Sequence, residues 1–136
     1  MTSEVFELPV PLLGDKPALS ANQRLHWAEK ARRTAMVRQA VAWRAREQKI
    51  GQQGHVVVQL HFVPRDQRRR DPSNLTATQK PCVDGLVDAG VVKDDSPEWV
   101  TELMPFIHAP IAGAARMWLA VQTFELTADA AEGGER

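Results

Sequence analysis

The chain has little of what would cross-link it or place it in a membrane. It contains a single cysteine, Cys82, so an internal disulfide cannot form, as is usual in a reducing cytoplasm. No apolar run approaches the roughly 18 residues that a membrane span needs. The N-terminal stretch MTSEVFELPV lacks the basic start and long apolar run of a signal peptide. We therefore expect a cytoplasmic protein with no membrane partner.

The length of 136 residues suits one domain that buries a core of its own. Hydrophobic residues make up 43% of the chain and charged residues 25%, as in an ordinary globular protein. We predict a single domain over residues 1–126. Residues 127–136 are small and acidic, and we predict that they form a disordered tail.

The formal net charge of zero conceals two regions of opposite sign. Residues 16–70 carry 13 lysines and arginines against three acids, whereas the remaining residues carry four against 14. A nucleic-acid-binding protein with an acidic metal site would show this asymmetry. An ordinary enzyme with a basic helix would show it too.

Hydrophobic periodicity predicts six elements in the order β-α-β-α-β-β. Apolar residues alternate most regularly over 56–62, which predicts a strand. A run rich in Ala, Arg, Glu and Gln, without Gly or Pro, predicts a long helix over 24–48. The other predicted elements are strands 4–10, 99–107 and 116–126 and a helix over 81–89. This order predicts an α+β fold, a mixed sheet with both helices packed on one face.

The second predicted helix contains a proline, which is favourable at the first helical position and unfavourable deeper inside. We therefore predict that residues 76–79 form an irregular turn and that the helix begins at Pro81. Gly90 is expected to end it. Cys82 is expected to be buried in this helix rather than to act as a nucleophile, because no activating histidine lies near it in sequence.

The tryptophans of the first helix have two interpretations. Met36, Ala40 and Trp43 lie on one stripe, and we expect Trp27 and Trp43 to pack in the core, with stacking on bases as the alternative. The four histidines show no metal-ligand spacing, so a zinc site is not expected. His61 is expected to be a hydrogen-bonded strand residue.

The most informative stretch places cations directly beside acids. It reads RRRDPSNL over residues 68–75, KPCVDGL over 80–86 and VDAGVVKDD over 87–95. The guanidinium group of arginine can donate two parallel hydrogen bonds to phosphate oxygens. Carboxylates match magnesium, which proteins usually hold through one or two carboxylates plus substrate phosphates. The alternative is structural: a solvated basic turn, then an amphipathic helix with a weak surface ion pair.

This stretch resembles the motif of the RusA-type Holliday junction resolvases, small dimeric endonucleases of phages, prophages and bacteria. The family pattern runs Arg-Arg-Asp-x-Asp-Asn-Leu, then Lys-x-x-x-Asp-x-Leu, then a glycine and a closing pair of aspartates. The matching residues are Arg69, Arg70, Asp71, Asn74, Leu75, Lys80, Asp84, Leu86, Gly90, Asp94 and Asp95. The order and size of the other predicted elements agree with the family.

The resemblance implies a RusA-like fold, a homodimer, and a magnesium-dependent endodeoxyribonuclease in which manganese can substitute. Such an enzyme nicks branched DNA and resolves Holliday junctions in recombination and repair. The implied catalytic residues are Asp71, Lys80, Asp84 and Asp95, and the implied metal ligands are Asp71, Asp95 and Asp94. The residues expected near DNA are Arg68, Arg69, Arg70, Asn74, Asn22, Arg24 and His26. Asn22 would serve equally well as the cap of the first helix, and Asp88 is expected to be a surface residue.

Two departures from the family pattern affect the expected metal site. Ser73 replaces the second acid, which removes a possible carboxylate ligand, and a few extra residues separate Asn74 from Lys80. A serine hydroxyl can still hold a metal-bound water, and Asp84 or Asp94 can supply part of the missing charge. The alternative function is therefore a branched-DNA-binding protein that has lost nuclease turnover.

Overall fold

A mixed β-sheet and two helices make up the computed structural model, which describes residues 3–125. The strands are β1 (Ser3–Pro9), β2 (Leu12–Leu13), β3 (Lys16–Pro17), β4 (His55–Val63), β5 (Val100–Glu102), β6 (Phe106–Ile107) and β7 (Arg116–Phe124), and the helices are α1 (Trp27–Glu47) and α2 (Thr76–Asp88). The predicted α+β class is confirmed. The tail predicted over 127–136 lies outside the described residues. Within the described part of the chain, neither helix is long and apolar enough to cross a bilayer.

The two long strands β4 and β7 form the centre of the sheet. The order is β1-β7-β4, and β5 and β6 follow one another along the outer edge of β4. β7 is antiparallel to both of its neighbours, whereas β5 and β6 are parallel to β4. The chain makes this parallel return through α2, as parallel pairing requires a crossover. The single strand predicted over 99–107 is thus two short strands.

The sheet is covered on one face and open on the other, because successive strand residues point to opposite sides. The helices cover the first face, and its core joins residues of α1 and α2 to the buried half of β4 and β7. We call the second face the open face. It comprises Ser3, Val5, Glu7, Pro9, His55, Val57, Gln59, His61, Val63, Thr101, Phe106, Arg116, Trp118, Ala120, Gln122 and Phe124.

The two helices approach most closely at Gly85. A β-carbon at this position would lie 2.5 Å from the carbonyl oxygen of Arg38 and 3.1 Å from the amide nitrogen of Ala42. The missing side chain therefore lets α2 pack against the backbone of α1. Beside this contact, Arg38 donates to Asp88 from two guanidinium nitrogens, at 2.5 and 2.8 Å, and Asp88 is a surface residue as predicted.

The prediction for the start of α2 is wrong. Residues 76–79 are helical, and Pro81 is the sixth residue of the helix instead of the first. Tertiary hydrogen bonds hold this first turn in place: the hydroxyl of Thr78 donates to the carbonyl of Leu19 at 2.6 Å, and the buried Gln79 side chain accepts from the backbone of β4 at 2.8 Å. These bonds compensate for the amide hydrogen that Pro81 lacks.

The predictions for α1 are wrong in two respects. The helix begins at Trp27 and not at residue 24. Its cap is His26, whose ring accepts from the amide of Ala28 at 3.2 Å, so Asn22 does not take its alternative role as the cap. Trp27 is 77% exposed and Trp43 57% exposed, so neither packs in the core. The buried positions of the helix are Val37, Val41, Ala42 and Ala45. The close approach of α2 favours such small side chains there over an indole.

Candidate functional site

A cleft of about 400 Å³ lies where the segment after β4 meets the β2–β3 hairpin and the loop before α1. We call it the arginine cleft. Its polar lining consists of Asp15, Lys16, Ser20, Asn22, Gln23, Asp66, Arg68, Arg69, Arg70, Asp71 and Asn74. Six of the residues predicted to lie at the site therefore line one cleft: Asn22, Arg68, Arg69, Arg70, Asp71 and Asn74. Arg24, also expected near DNA, is exposed but does not line it.

Asp71 begins the short 3₁₀ helix Pro72–Leu75 as its N-terminal cap. Its Oδ1 atom accepts hydrogen bonds from the amide of Ser73 at 3.0 Å and from the Ser73 hydroxyl at 2.9 Å. These two bonds hold the pKa of the Asp71 carboxyl below its usual value, the amide bond contributing most. Asp71 therefore has a structural role as a cap, which uses one of its carboxylate oxygens.

The three arginines of the motif have different surroundings. Arg70 folds back on the turn and donates to the carboxylate of Asp66 at 2.7 Å and to the carbonyl oxygens of Asp66 and Arg68, each at 3.0 Å. Arg68 lies 3.8 Å from the Asp66 carboxylate and keeps 68% of its side chain exposed. Arg69 is exposed and forms no ion pair with a described residue. Arg69 and Arg68 are therefore available to a ligand, whereas Arg70 shapes the turn.

Lys80, Asp84 and Asp95 form a second group, which we call the lysine triad. The Lys80 ammonium donates to Asp84 at 2.9 Å and also to Asp95. Both bonds raise the pKa of Lys80, the bond to Asp95 more than the bond to Asp84, and the same ammonium lowers the pKa of Asp95. The spacing of Lys80 and Asp84 on one helix face predicted the first contact. The fold adds Asp95 from the loop after α2.

Asp94 forms no ion pair with Lys80. Its Oδ1 atom accepts from the amide of Ser96 at 2.8 Å, as in an aspartate that starts a turn. Hydrogen bonds from Ser96 lower the pKa of the Asp94 carboxyl. In this structure Asp94 therefore starts a turn.

The arginine cleft and the lysine triad lie on either side of the loop before α1. A smaller cleft of about 330 Å³ contains Lys80 and Asp84, and it shares Ser20 and Gln23 with the arginine cleft. The amide of Ala21 donates to the carbonyl of Asn74 at 2.9 Å and ties this loop to the Asp71 turn. Within residues 3–125, no three carboxylate, histidine or cysteine side chains converge on a single metal position.

Sequence reasoning missed two contributors to this region. The segment predicted as a loop contains the β2–β3 hairpin, which brings Asp15 and Lys16 into the arginine cleft. Gln79 fills the gap between β5 and β6: it accepts from the amide of Leu60 at 2.8 Å and donates to the carbonyl of Leu103 at 2.9 Å. The glutamine thereby joins α2, next to Lys80, to the edge of the sheet. The short turn around Gly14 was a signal for the hairpin, but nothing local marks Gln79.

No family model and no curated protein sequence matches the chain.

Proposed function

We propose that the protein is a magnesium-dependent endodeoxyribonuclease of the RusA type that nicks branched DNA, with four-way junctions as its preferred substrate. The observation that carries the proposal is the position of Asp71 in the arginine cleft. Its carboxylate lies in a cleft also lined by Arg68 and Arg69, two cations with exposed side chains. A carboxylate that can bind a metal ion and guanidinium groups that can bind a phosphate therefore occur in the same cleft.

The residues present fit magnesium in donor type. Asp71 has a carboxylate oxygen, Oδ2, that forms no hydrogen bond with a described residue. Asp95 is the second ligand that the resemblance implies, although it pairs with Lys80 and does not line the arginine cleft. One or two protein carboxylates suffice for magnesium when substrate phosphate and water complete the coordination. When bound, the ion would polarise the scissile phosphate and lower the pKa of an attacking water.

The chain's own residues would position the DNA and stabilise charge. Arg69 and Arg68 would hold the phosphate backbone at the mouth of the cleft, with Asn22 and Asn74 beside them. Hydrogen bonds to Asp95 and Asp84 favour the charged ammonium of Lys80 and raise its pKa. This ammonium would offset the negative charge that develops on the phosphate or the leaving oxygen. Resolution of a junction needs two paired nicks, so we expect a two-fold symmetric dimer.

A second candidate function is binding of branched DNA without cleavage. Two observations favour it: Ser73 stands where the family has an acid, and Lys80 already neutralises Asp84 and Asp95. Affinity would persist in this case because it depends on the basic residues, and both candidates predict a steep loss of binding with salt.

The experiment that tests the proposal compares Asp71→Asn with Asp88→Asn. The first substitution keeps the shape of the cap and removes the charge in the cleft. It should lower magnesium-dependent nicking of a synthetic four-way junction by orders of magnitude, while junction affinity holds or rises because a carboxylate near phosphate is gone. Asp88→Asn removes a carboxylate that pairs with Arg38 outside the cleft, and it should nick at the wild-type rate. Equal nicking by Asp71→Asn and the wild type would refute the proposed site.

A further inference from the structure

An exposed tryptophan occupies the first position of α1. Trp27 is 77% exposed, more than any other large hydrophobic residue in the described part of the chain. Its indole packs against the ring of His26, with the ring centroids 5.5 Å apart and an interplanar angle of 33°. The His26 ring is held in turn by the amide of Ala28. The indole is therefore positioned by its neighbour, while most of its surface stays open to a ligand.

The side of α1 that carries Trp27 leads into the cleft of the lysine triad. Lys30 and Thr34 follow Trp27 by three and seven residues, so the three side chains lie on one face of the helix. Lys30 and Thr34 line the smaller cleft together with Lys80 and Asp84. Trp27 therefore lies at the edge of that cleft, at the end of the loop that separates it from the arginine cleft.

The surroundings of Trp27 are basic. Arg24 and Lys30 are exposed, and neither forms an ion pair with a described residue. Glu29, the nearest acid in the sequence, is paired with two arginines of its own helix, at 2.5 and 2.9 Å. Proteins that hold single-stranded nucleic acid combine an exposed aromatic ring, which stacks on a base, with cations that hold the backbone. The start of α1 has both.

We propose that Trp27 stacks on a nucleobase that has lost its partner at the branch point of the DNA, and that it thereby makes the protein prefer branched DNA to linear duplex. The inference rests on the proposed binding of branched DNA and not on cleavage. In a linear duplex every base is paired and stacked, so none is free for the indole. Pairing and stacking are interrupted at a branch point, where a base costs less to expose. The phosphates beside that base would lie near Lys30 and Arg24.

The second exposed tryptophan of α1 provides a matched control. Trp43 is 57% exposed, and the guanidinium of Arg44 lies over its ring, 5.1 Å from the centroid. It follows Trp27 by 16 residues, which places it roughly 160° around the helix. Trp43 lines neither the arginine cleft nor the smaller cleft. The two tryptophans thus share a helix and a chemistry, but only Trp27 lies beside the candidate site.

The test is a set of binding titrations with the full-length chain in metal-free buffer. The probes are a synthetic four-way junction with a fixed branch point and a linear duplex of the same sequence. Trp27→Ala should weaken binding to the junction by roughly tenfold, as expected for one stacked base, and binding to the duplex by less than about twofold. Trp27→Phe keeps an aromatic ring and should retain most of the preference for the junction. Trp43→Ala should bind both probes as the wild type does, and the circular dichroism spectra of all variants should be unchanged.

Fluorescence gives a readout that a merely structural role of Trp27 would not change, because stacking on a base quenches indole emission. Trp27→Phe and Trp43→Phe each keep three of the four tryptophans. Addition of the junction should quench the emission of Trp43→Phe and leave that of Trp27→Phe almost unchanged. Equal quenching in the two variants would overturn the proposal.

Three other results would contradict this role of Trp27. Trp27→Ala could bind the junction as tightly as the wild type, or lose equal affinity for the junction and the duplex. Its mass in sedimentation velocity could also differ from that of the wild type, and the indole would then lie in a contact with protein instead of DNA. A wild type that binds neither probe would overturn the proposed function as well. A wild type that nicks the junction, with an unchanged preference in Trp27→Ala, would overturn this inference alone.

Discussion

The two faces of this sheet share their strands but differ in what they contact. The covered face packs against two helices that approach to backbone contact, and the candidate site lies on that side with its arginines and carboxylates. The open face carries aromatic rings and two charged residues, Glu7 and Arg116. This difference is consistent with our proposal that phosphate binds on the charged side.

The largest expected effect comes from a substitution in the helix contact on the covered face. Gly85→Ala would place a β-carbon 2.5 Å from the carbonyl oxygen of Arg38, so the helices must separate. We expect the free energy of unfolding to fall by about 3 kcal/mol, measured by urea titration. Gly51→Ala is the control, because its β-carbon would meet no atom within 4 Å, and it should change stability by less than about 0.5 kcal/mol. Equal effects of the two substitutions would contradict the helix contact described here.

The second prediction separates the arginines of the two faces. Arg69→Ala should weaken binding to all DNA and flatten the slope of log affinity against log salt by about one unit. Arg116→Ala, on the open face, should leave that slope unchanged. Arg70→Ala should lower thermal stability as well, because Arg70 holds the Asp66 turn. If Arg116→Ala flattened the slope as much as Arg69→Ala, the division between the faces would be wrong.

The third prediction concerns Ser73, whose hydroxyl points at Asp71. Ser73→Asp would put a second carboxylate beside the first, and more negative charge offsets more of the dehydration of magnesium. We expect the magnesium concentration for half-maximal nicking to fall several-fold, whereas Ser73→Asn should not lower it. An unmoved magnesium titration in Ser73→Asp would mean that position 73 does not face the ion. Asp84 or Asp94 would then be the better candidate for the missing ligand.

The smallest expected effect lies on the open face. Burial, and then the neighbouring His108, lower the pKa of His61 below its usual value of 6.5. The folded state therefore favours the neutral ring, and this contribution to stability is complete above pH 6.5 and lost as the pH falls through the lowered pKa. The melting temperature of the wild type should fall by a few degrees at most on acidification. The melting temperature of His61→Gln should fall less on acidification than that of the wild type. If the melting temperatures of both proteins depended on pH in the same way, His61 would not contribute.

The sequence predicted the elements whose signals are local. Alternating residues marked β4, Gly90 ends α2 with a φ of +77°, and Cys82 is buried in that helix. The contact between Lys80 and Asp84 follows from their spacing on one turn.

What the sequence did not predict depends on tertiary contacts. The start of α2 depends on bonds from Thr78 and Gln79 to distant backbone, which outweigh the unfavourable position of Pro81. Trp43 is exposed because the buried positions of α1 are Val37, Val41, Ala42 and Ala45, so the helix turns a different side to the core from the predicted stripe. The three arginines of the motif cannot be told apart in the sequence. In the structure, Arg70 differs from the other two because its guanidinium is hydrogen-bonded within the turn to Asp66 and Arg68.

The most direct test of the central claim is a cleavage assay with the wild-type protein on a synthetic four-way junction, in magnesium and in its absence, with a linear duplex of the same sequence as control. We predict paired nicks in the junction that require magnesium, and an intact linear duplex. A junction that is bound tightly but stays intact in magnesium would contradict it. The protein would then be a branched-DNA-binding protein in which Asp71 caps a turn and Lys80 neutralises two acids.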